Sequence, residues 1–160
     1  MIKTNVMRML DKAGIAYSTR EYTVDEQDLS GSHAADMLGV DHGSVFKTLV
    51  LKGDKTGYFV CCIPVDAELD LKKTAKLTGD KKVEMISVKD LQSVTGYIRG
   101  GCSPVGMKKQ FPTWIDASAD NYPEIVVSAG IRGQQIVIAP QKLAVFVKGN
   151  FASLTLNQFT

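Results

Sequence analysis

At 160 residues the chain falls within the range of one domain, and 44% hydrophobic residues suffice to bury a core without metals or disulfides. The longest apolar run, Tyr58 to Val65, is broken by Pro64 and falls well short of the roughly 18 residues of a membrane span. A net charge of +2 does not announce a polyanion binder, and three cysteines without a C-x-x-C spacing suggest neither a disulfide framework nor a zinc ribbon.

The first element in chain order is an amphipathic helix over Thr4 to Ala13, stopped by Gly14, in which Lys3, Arg8 and Lys12 alternate with Val6, Met9 and Leu10. Those charges deny it the apolar stretch of a signal peptide, so a cytoplasmic protein is expected. A strand is expected over Tyr17 to Thr23 and a helix over Ser32 to Leu38 with Gly39 as its stop. Val45 to Leu51 and Gly57 to Ile63 read as two strands of a hairpin turning through Lys52-Gly-Asp-Lys-Thr-Gly57. A helix over Leu71 to Leu77 ends near Gly79, a short strand covers Val83 to Met85, and Ser87-Val-Lys-Asp90 has capping-box spacing for a helix running to Gly96.

Strands follow at Thr113 to Asp116, Ile125 to Ser128 and Gln135 to Ile138, then a helix from Pro140 to about Val147 and a weaker strand at Leu154 to Leu156. With no repeat or linker to divide it, the chain reads as one unit, residues 1–160. Short strands with few long crossovers predict a mixed α/β (α+β) domain, with a mixed or antiparallel, partly closed, barrel-like sheet surrounded by helices.

Lys47 is the sharpest anomaly. Strand alternation puts it on the face of Val45, Leu49 and Leu51, where an ammonium must find a partner, snorkel to water or lose its proton. An edge lysine reaching solvent and a site lysine fit this pattern equally. Asp66, Glu68 and Asp70 would share a face in an extended segment and suggest paired carboxylates, but acids ahead of a helix N-terminus are the simpler reading.

The loop Gly96-Tyr-Ile-Arg-Gly-Gly-Cys-Ser-Pro-Val-Gly-Met-Lys-Lys109 carries four glycines in fourteen residues, which lets backbone approach a ligand, although ordinary connecting loops share this trait. It is no P-loop, because Met107 separates Gly106 from Lys108 and no Ser or Thr follows. Ser128, in Val127-Ser-Ala-Gly-Ile-Arg-Gly133, lacks the G-x-S-x-G context of a nucleophile elbow. Cys102 has no motif linking it to His33 or His42. No metal site and no cofactor are expected. Residues 1 to 40 hold four basic and six acidic side chains, and residues 41 to 110 twelve and eight, so the middle is the candidate polyanion surface, where lysines such as Lys72, Lys73 and Lys76 read as a solvated face or as contacts to RNA phosphates.

Taken together, Phe46-Lys-Thr-Leu49, Glu68-Leu-Asp-Leu-Lys-Lys73, the glycine loop and Val127 to Gly133 resemble the YbaK/EbsC family, in order and spacing over nearly the whole chain. The resemblance implies the distorted barrel of the editing domain inserted in bacterial prolyl-tRNA synthetases, and hydrolysis of mischarged tRNA. It implies that catalysis depends on Lys47 and that Tyr22, Gly100, Gly101, Ser128 and Gly130 line the substrate pocket. It implies tRNA(Pro) carrying cysteine as substrate, with Cys-tRNA(Cys) a further candidate, prolyl-tRNA synthetase as a partner, and a substrate-assisted mechanism. A deacylase for alanine or another amino acid, and a non-catalytic tRNA- or synthetase-binding module, remain the alternatives.

Overall fold

The computed structural model describes residues 2–156. The chain runs α1 (Asn5–Lys12), β1 (Ser18–Glu21), α2 (Gly31–Leu38), β2 (Phe46–Gly53), β3 (Gly57–Pro64), α3 (Leu71–Thr78), β4 (Val83–Met85), α4 (Val88–Thr95), β5 (Thr113–Asp116), β6 (Ile125–Ser128), β7 (Gln134–Ile138), α5 (Pro140–Val147) and β8 (Asn150–Ala152). Single 3₁₀ turns at His42–Ser44 and Ala117–Asn121 interrupt the connections. Among the described residues no helix is long and apolar enough to cross a membrane.

The helices start and stop where side chains can satisfy free backbone groups. Thr4, Ser30 and Asp70 each accept from the N–H three residues on, at 3.3, 3.2 and 3.0 Å. The box expected at Ser87 forms differently: its hydroxyl donates to the Asp90 carboxylate at 2.8 Å and leaves the backbone uncapped. Gly39, Gly79 and Gly96 end α2, α3 and α4 in the left-handed region, whereas α5 ends on Lys148 at φ 55°.

The expected mixed α/β architecture is present, with its strands in two open sheets. One is antiparallel in the order β1-β7-β6, and the other mixed in the order β4-β2-β3-β5-β8. β2 and β3 pair antiparallel over their whole length, while β5 adds to β3, and β8 to β5, in parallel. Among the described residues one parallel bridge, Val45 to Val126, joins the sheets. The strand expected at Leu154 to Leu156 reduces to one bridge, Thr155 to Leu69; the last strand is β8 instead. Leu154 is apolar because it is fully buried, and its N–H is taken by the Asp116 carboxylate at 2.9 Å.

The β2–β3 hairpin separates two cores. Phe46, Val50, Val60 and Cys62 pack with α1, β6–β7 and α5 through Leu10, Ile136, Ile138 and Leu143. Leu51, Phe59, Cys61 and Ile63 face the other way, onto Ala75 of α3, Val83 and Leu154. A fully buried side chain of this size contributes roughly 1.5–3 kcal/mol. A third cluster, Ala35, Val45, Val65 and Val126, seats α2 over the junction of the sheets.

Candidate active site

Beside that junction a cavity of about 350 Å³ opens, at the small end of ligand pockets, which run ~300–1,000 Å³. Tyr22 just past β1, Lys47 and Thr48 on β2, and Gly100, Cys102 and Ser128 are among its lining residues. Its remaining wall includes Ser30 and Gly31 at the start of α2. β4 pairs only with Leu51 to Gly53, so the first half of β2 presents its edge to this space.

Lys47 continues the apolar stripe of Leu49 and Leu51, paired across the ladder with Ile63, and stands half-buried at the end of that stripe. Burial pulls its pKa below the usual lysine value, while the charges of Asp66 and Glu68 oppose the fall. Among the described residues no carboxylate lies within 4.0 Å of its ammonium. The cation is therefore supported at a distance and open to a ligand on the cavity side.

Asp66 is fixed by its surroundings. It accepts from the Ser32 hydroxyl of α2 and meets His42 Nδ1 at 2.6 Å, while His42 Nε2 meets Asp36 Oδ1 at 2.7 Å. Carboxylate oxygens only accept, so the protonated ring satisfies both contacts by donating from each nitrogen, and these hydrogen bonds to Asp36 and Asp66 raise its pKa. Of the three acids grouped by the sequence, Asp70 caps α3 as the simpler reading holds, and Asp66 belongs to the cavity margin.

Ser128, at the end of β6, donates from Oγ to the Gly101 carbonyl and accepts from the Gly130 N–H, both at 3.1 Å. Gly101 and Gly130 thus stand behind Ser128, outside the cavity lining, and act on it through that hydroxyl. The Tyr97 ring sits between Gly106 (φ 81°) and Gly130 (φ 103°), where a Cβ would come within 2.9 and 3.2 Å of it. Tyr97 donates to the Val105 carbonyl at 2.5 Å, so these glycines seat an aromatic pillar that shapes the loop.

Tyr22 meets His33 edge to face at 6.4 Å, and burial raises its phenol pKa. Cys102 lines the cavity with its thiol pushed up to about 12 by burial, so it stays protonated. The sequence reading assigns no site role to several lining residues, among them Ser30, Thr48, Arg99 and Gln135. Gln135 is 5% exposed, and its signal was a Gln-Gln pair opening the apolar run Ile136 to Ile138. The lysine patch is also revised, because Lys73 Nζ is engaged with Ser153 Oγ and the Thr155 carbonyl, both at 3.0 Å, and ties down the C-terminal segment.

Comparison with known proteins bears on this geometry. A protein of Enterococcus faecalis, EbsC, provisionally named a Cys-tRNA(Pro)/Cys-tRNA(Cys) deacylase, is 51% identical over 156 residues, 98% of this chain and 95% of the relative. A proline–tRNA ligase of Fervidobacterium nodosum is 30% identical over 102 residues, 56% of this chain and 18% of the ligase. A crystal structure provisionally described as a trans-editing enzyme for prolyl-tRNA synthetase shares the fold, with TM-score 0.81, 24% identity and 95% of each chain covered. The model of the aminoacyl-tRNA editing domain matches residues 28–146, which include Lys47, Gly100 and Ser128, and the chain belongs to that family.

Proposed function

We propose that this protein is a cytoplasmic, single-domain deacylase that clears cysteine from wrongly charged tRNA(Pro) in trans, alongside prolyl-tRNA synthetase. The observation that carries the reading is a cavity holding one half-buried cation, Lys47, beside a serine hydroxyl and a cysteine thiol, Ser128 and Cys102, that are unsuited to attack. The Ser128 proton is committed to Gly101, and the Cys102 thiol stays protonated. The relationship to EbsC supports the substrate, and the relationship to proline–tRNA ligase supports the setting. A synthetase pocket rejects a similar-sized amino acid by only a few kcal/mol, which is the need for a second hydrolytic site.

With no nucleophile from the protein, the substrate supplies its own. The cysteine sulfur attacks its ester carbonyl, the S–C bond forms as the C–O bond to the ribose breaks, and the thiol proton passes to the departing ribose oxygen. The products are free tRNA and a cyclic thioester that water then opens. Holding sulfur and carbonyl in contact converts binding into rate by proximity. Lys47 stabilises negative charge on the reacting oxygens or the neighbouring phosphate, and Tyr22, Gly100 and Ser128 confine the aminoacyl group, Ser128 being held by Gly101 and Gly130.

Deacylation of Cys-tRNA(Pro), Ala-tRNA(Pro) and Pro-tRNA(Pro) by the wild-type protein tests the reading. Rapid loss of cysteine alone is expected. Preferential loss of alanine would replace the substrate, and tRNA binding with no hydrolysis would make the protein a binding module.

A further inference from the structure

The two chain segments that supply opposite sides of the cavity differ in charge, and of the charged side chains they carry Arg99 is the one that lines it. The wall built from residues 24–46, which contains α2, holds Asp25, Glu26, Asp28, Asp36 and Asp41 and no lysine or arginine. Asp66 and Asp36 share His42 between them, so the acidic excess of this side rests on Asp25, Glu26, Asp28 and Asp41. The facing wall comes from residues 88–109, where Lys89, Arg99, Lys108 and Lys109 stand against the single acid Asp90. Arg99 is exposed and lines the cavity. Beside it, Arg132 Nε donates to the Arg99 carbonyl at 2.8 Å, and its side chain packs against Gly100.

Among the described residues neither guanidinium has a carboxylate within ion-pair distance. A guanidinium presents several donors in a fixed fork suited to phosphate, and a phosphodiester chain follows the cationic side of a split field. Resting on the deacylase reading, we infer that the 3′ strand of the tRNA leaves the cavity over the Arg99–Arg132 rim, its phosphates against these guanidiniums and out of contact with the α2 side. The Lys72 and Lys76 face of α3 is outside this path.

The test compares wild type, Arg99→Glu, Arg99→Gln and Glu26→Lys in two assays: binding of uncharged tRNA(Pro) over a range of salt, and kcat/KM for Cys-tRNA(Pro) relative to cysteinyl adenosine, which has the ester without the phosphate chain. Arg99→Glu is expected to weaken tRNA binding about tenfold or more and to lower the kcat/KM ratio to match. The slope of log affinity against log salt should fall by about one, with Arg99→Gln between it and wild type. Glu26→Lys is expected to leave both readouts near wild type.

Unchanged affinity and salt slope in Arg99→Glu, with wild-type deacylation intact, would overturn the exit path and leave the deacylase reading standing. A tenfold gain from Glu26→Lys would put the path on the other wall. Arg99-dependent binding without hydrolysis would overturn the deacylase reading and keep the surface. Absence of any tRNA binding by wild type would overturn the inference itself.

Discussion

Ser128 Oγ lies 3.1 Å from the Gly101 carbonyl, so the end of β6 and the glycine loop are joined through one hydroxyl. The same oxygen receives the Gly130 N–H, which leaves its proton directed away from any substrate. Ser128→Ala should therefore behave as a positioning variant. Losing two hydrogen bonds at a partly buried site costs about 1–3 kcal/mol, or roughly 5- to 150-fold in kcat/KM, with measurable turnover retained. Complete loss of deacylation in a folded Ser128→Ala protein would instead point to chemistry at the hydroxyl.

The Asp66 charge opposes the effect of burial on Lys47. If the reaction needs the ammonium, activity falls as pH rises through the Lys47 pKa, which burial already holds below its usual value. Removing the carboxylate lowers that pKa further. Asp66→Asn should shift the alkaline limb of the kcat/KM profile to lower pH, and Asp66→Glu should restore part of the shift. An unmoved alkaline limb in a folded Asp66→Asn protein would remove Asp66 from this role.

His42 is held between two carboxylates, and its folded pKa is raised above the unfolded value. Its contribution to stability is thus full below pH ~6.5 and disappears as pH rises through the raised pKa. Thermal midpoints of wild type and His42→Gln should differ most near pH 5.5 and converge in alkali. A difference independent of pH would show that charge on the ring contributes nothing.

Cys102 lines the cavity, but burial pushes its thiol up to about 12. Cys102→Ser should keep deacylation within about threefold of wild type, and iodoacetamide at neutral pH should leave the wild-type protein active. An inactive, folded Cys102→Ser variant would require a role for the thiol.

Gly53 closes β2 against Asp80, where a Cβ would overlap the carboxylate. Burial works to raise the Asp80 pKa, but the hydroxyls of Thr78 and Thr56 and the N–H groups of Lys55 and Thr56 outweigh it and hold the carboxyl below the ordinary range. Gly53→Ala should lower Tm by roughly 3–10 °C through overpacking. Because the folded pKa is depressed, this support is complete above pH ~3.9 and is lost as pH falls below it. Asp80→Asn should weaken the protein at neutral pH and flatten its acid destabilisation; identical acid profiles would contradict this role.

The sequence carried the local elements well because their signals are local. Gly39, Gly79 and Gly96 each mark a helix end, and Lys47 stands out as a charge on the strand face of Leu49 and Leu51. What depended on pairing between distant segments was not legible. The parallel additions of β5 to β3 and β8 to β5 leave no periodic trace, and Leu154 reads as a strand residue although a carboxylate 38 positions earlier holds it. A glycine-rich loop is open to either ligand approach or plain connection, and that Gly106 and Gly130 make room for Tyr97 is revealed only by the packing. Asp66 and His42 are 24 residues apart and meet only because α2 folds back over the sheet junction.

On the proposed deacylase function, hydrolysis of cysteine from tRNA(Pro) depends on the cation of Lys47. The direct test of this dependence is the single-turnover rate of Cys-tRNA(Pro) deacylation by wild type and Lys47→Ala, with thermal unfolding showing both proteins folded. A loss of at least ~100-fold is expected in the variant, the scale of losing an electrostatic stabiliser at a reacting centre. A folded Lys47→Ala protein that clears cysteine at the wild-type rate would contradict it.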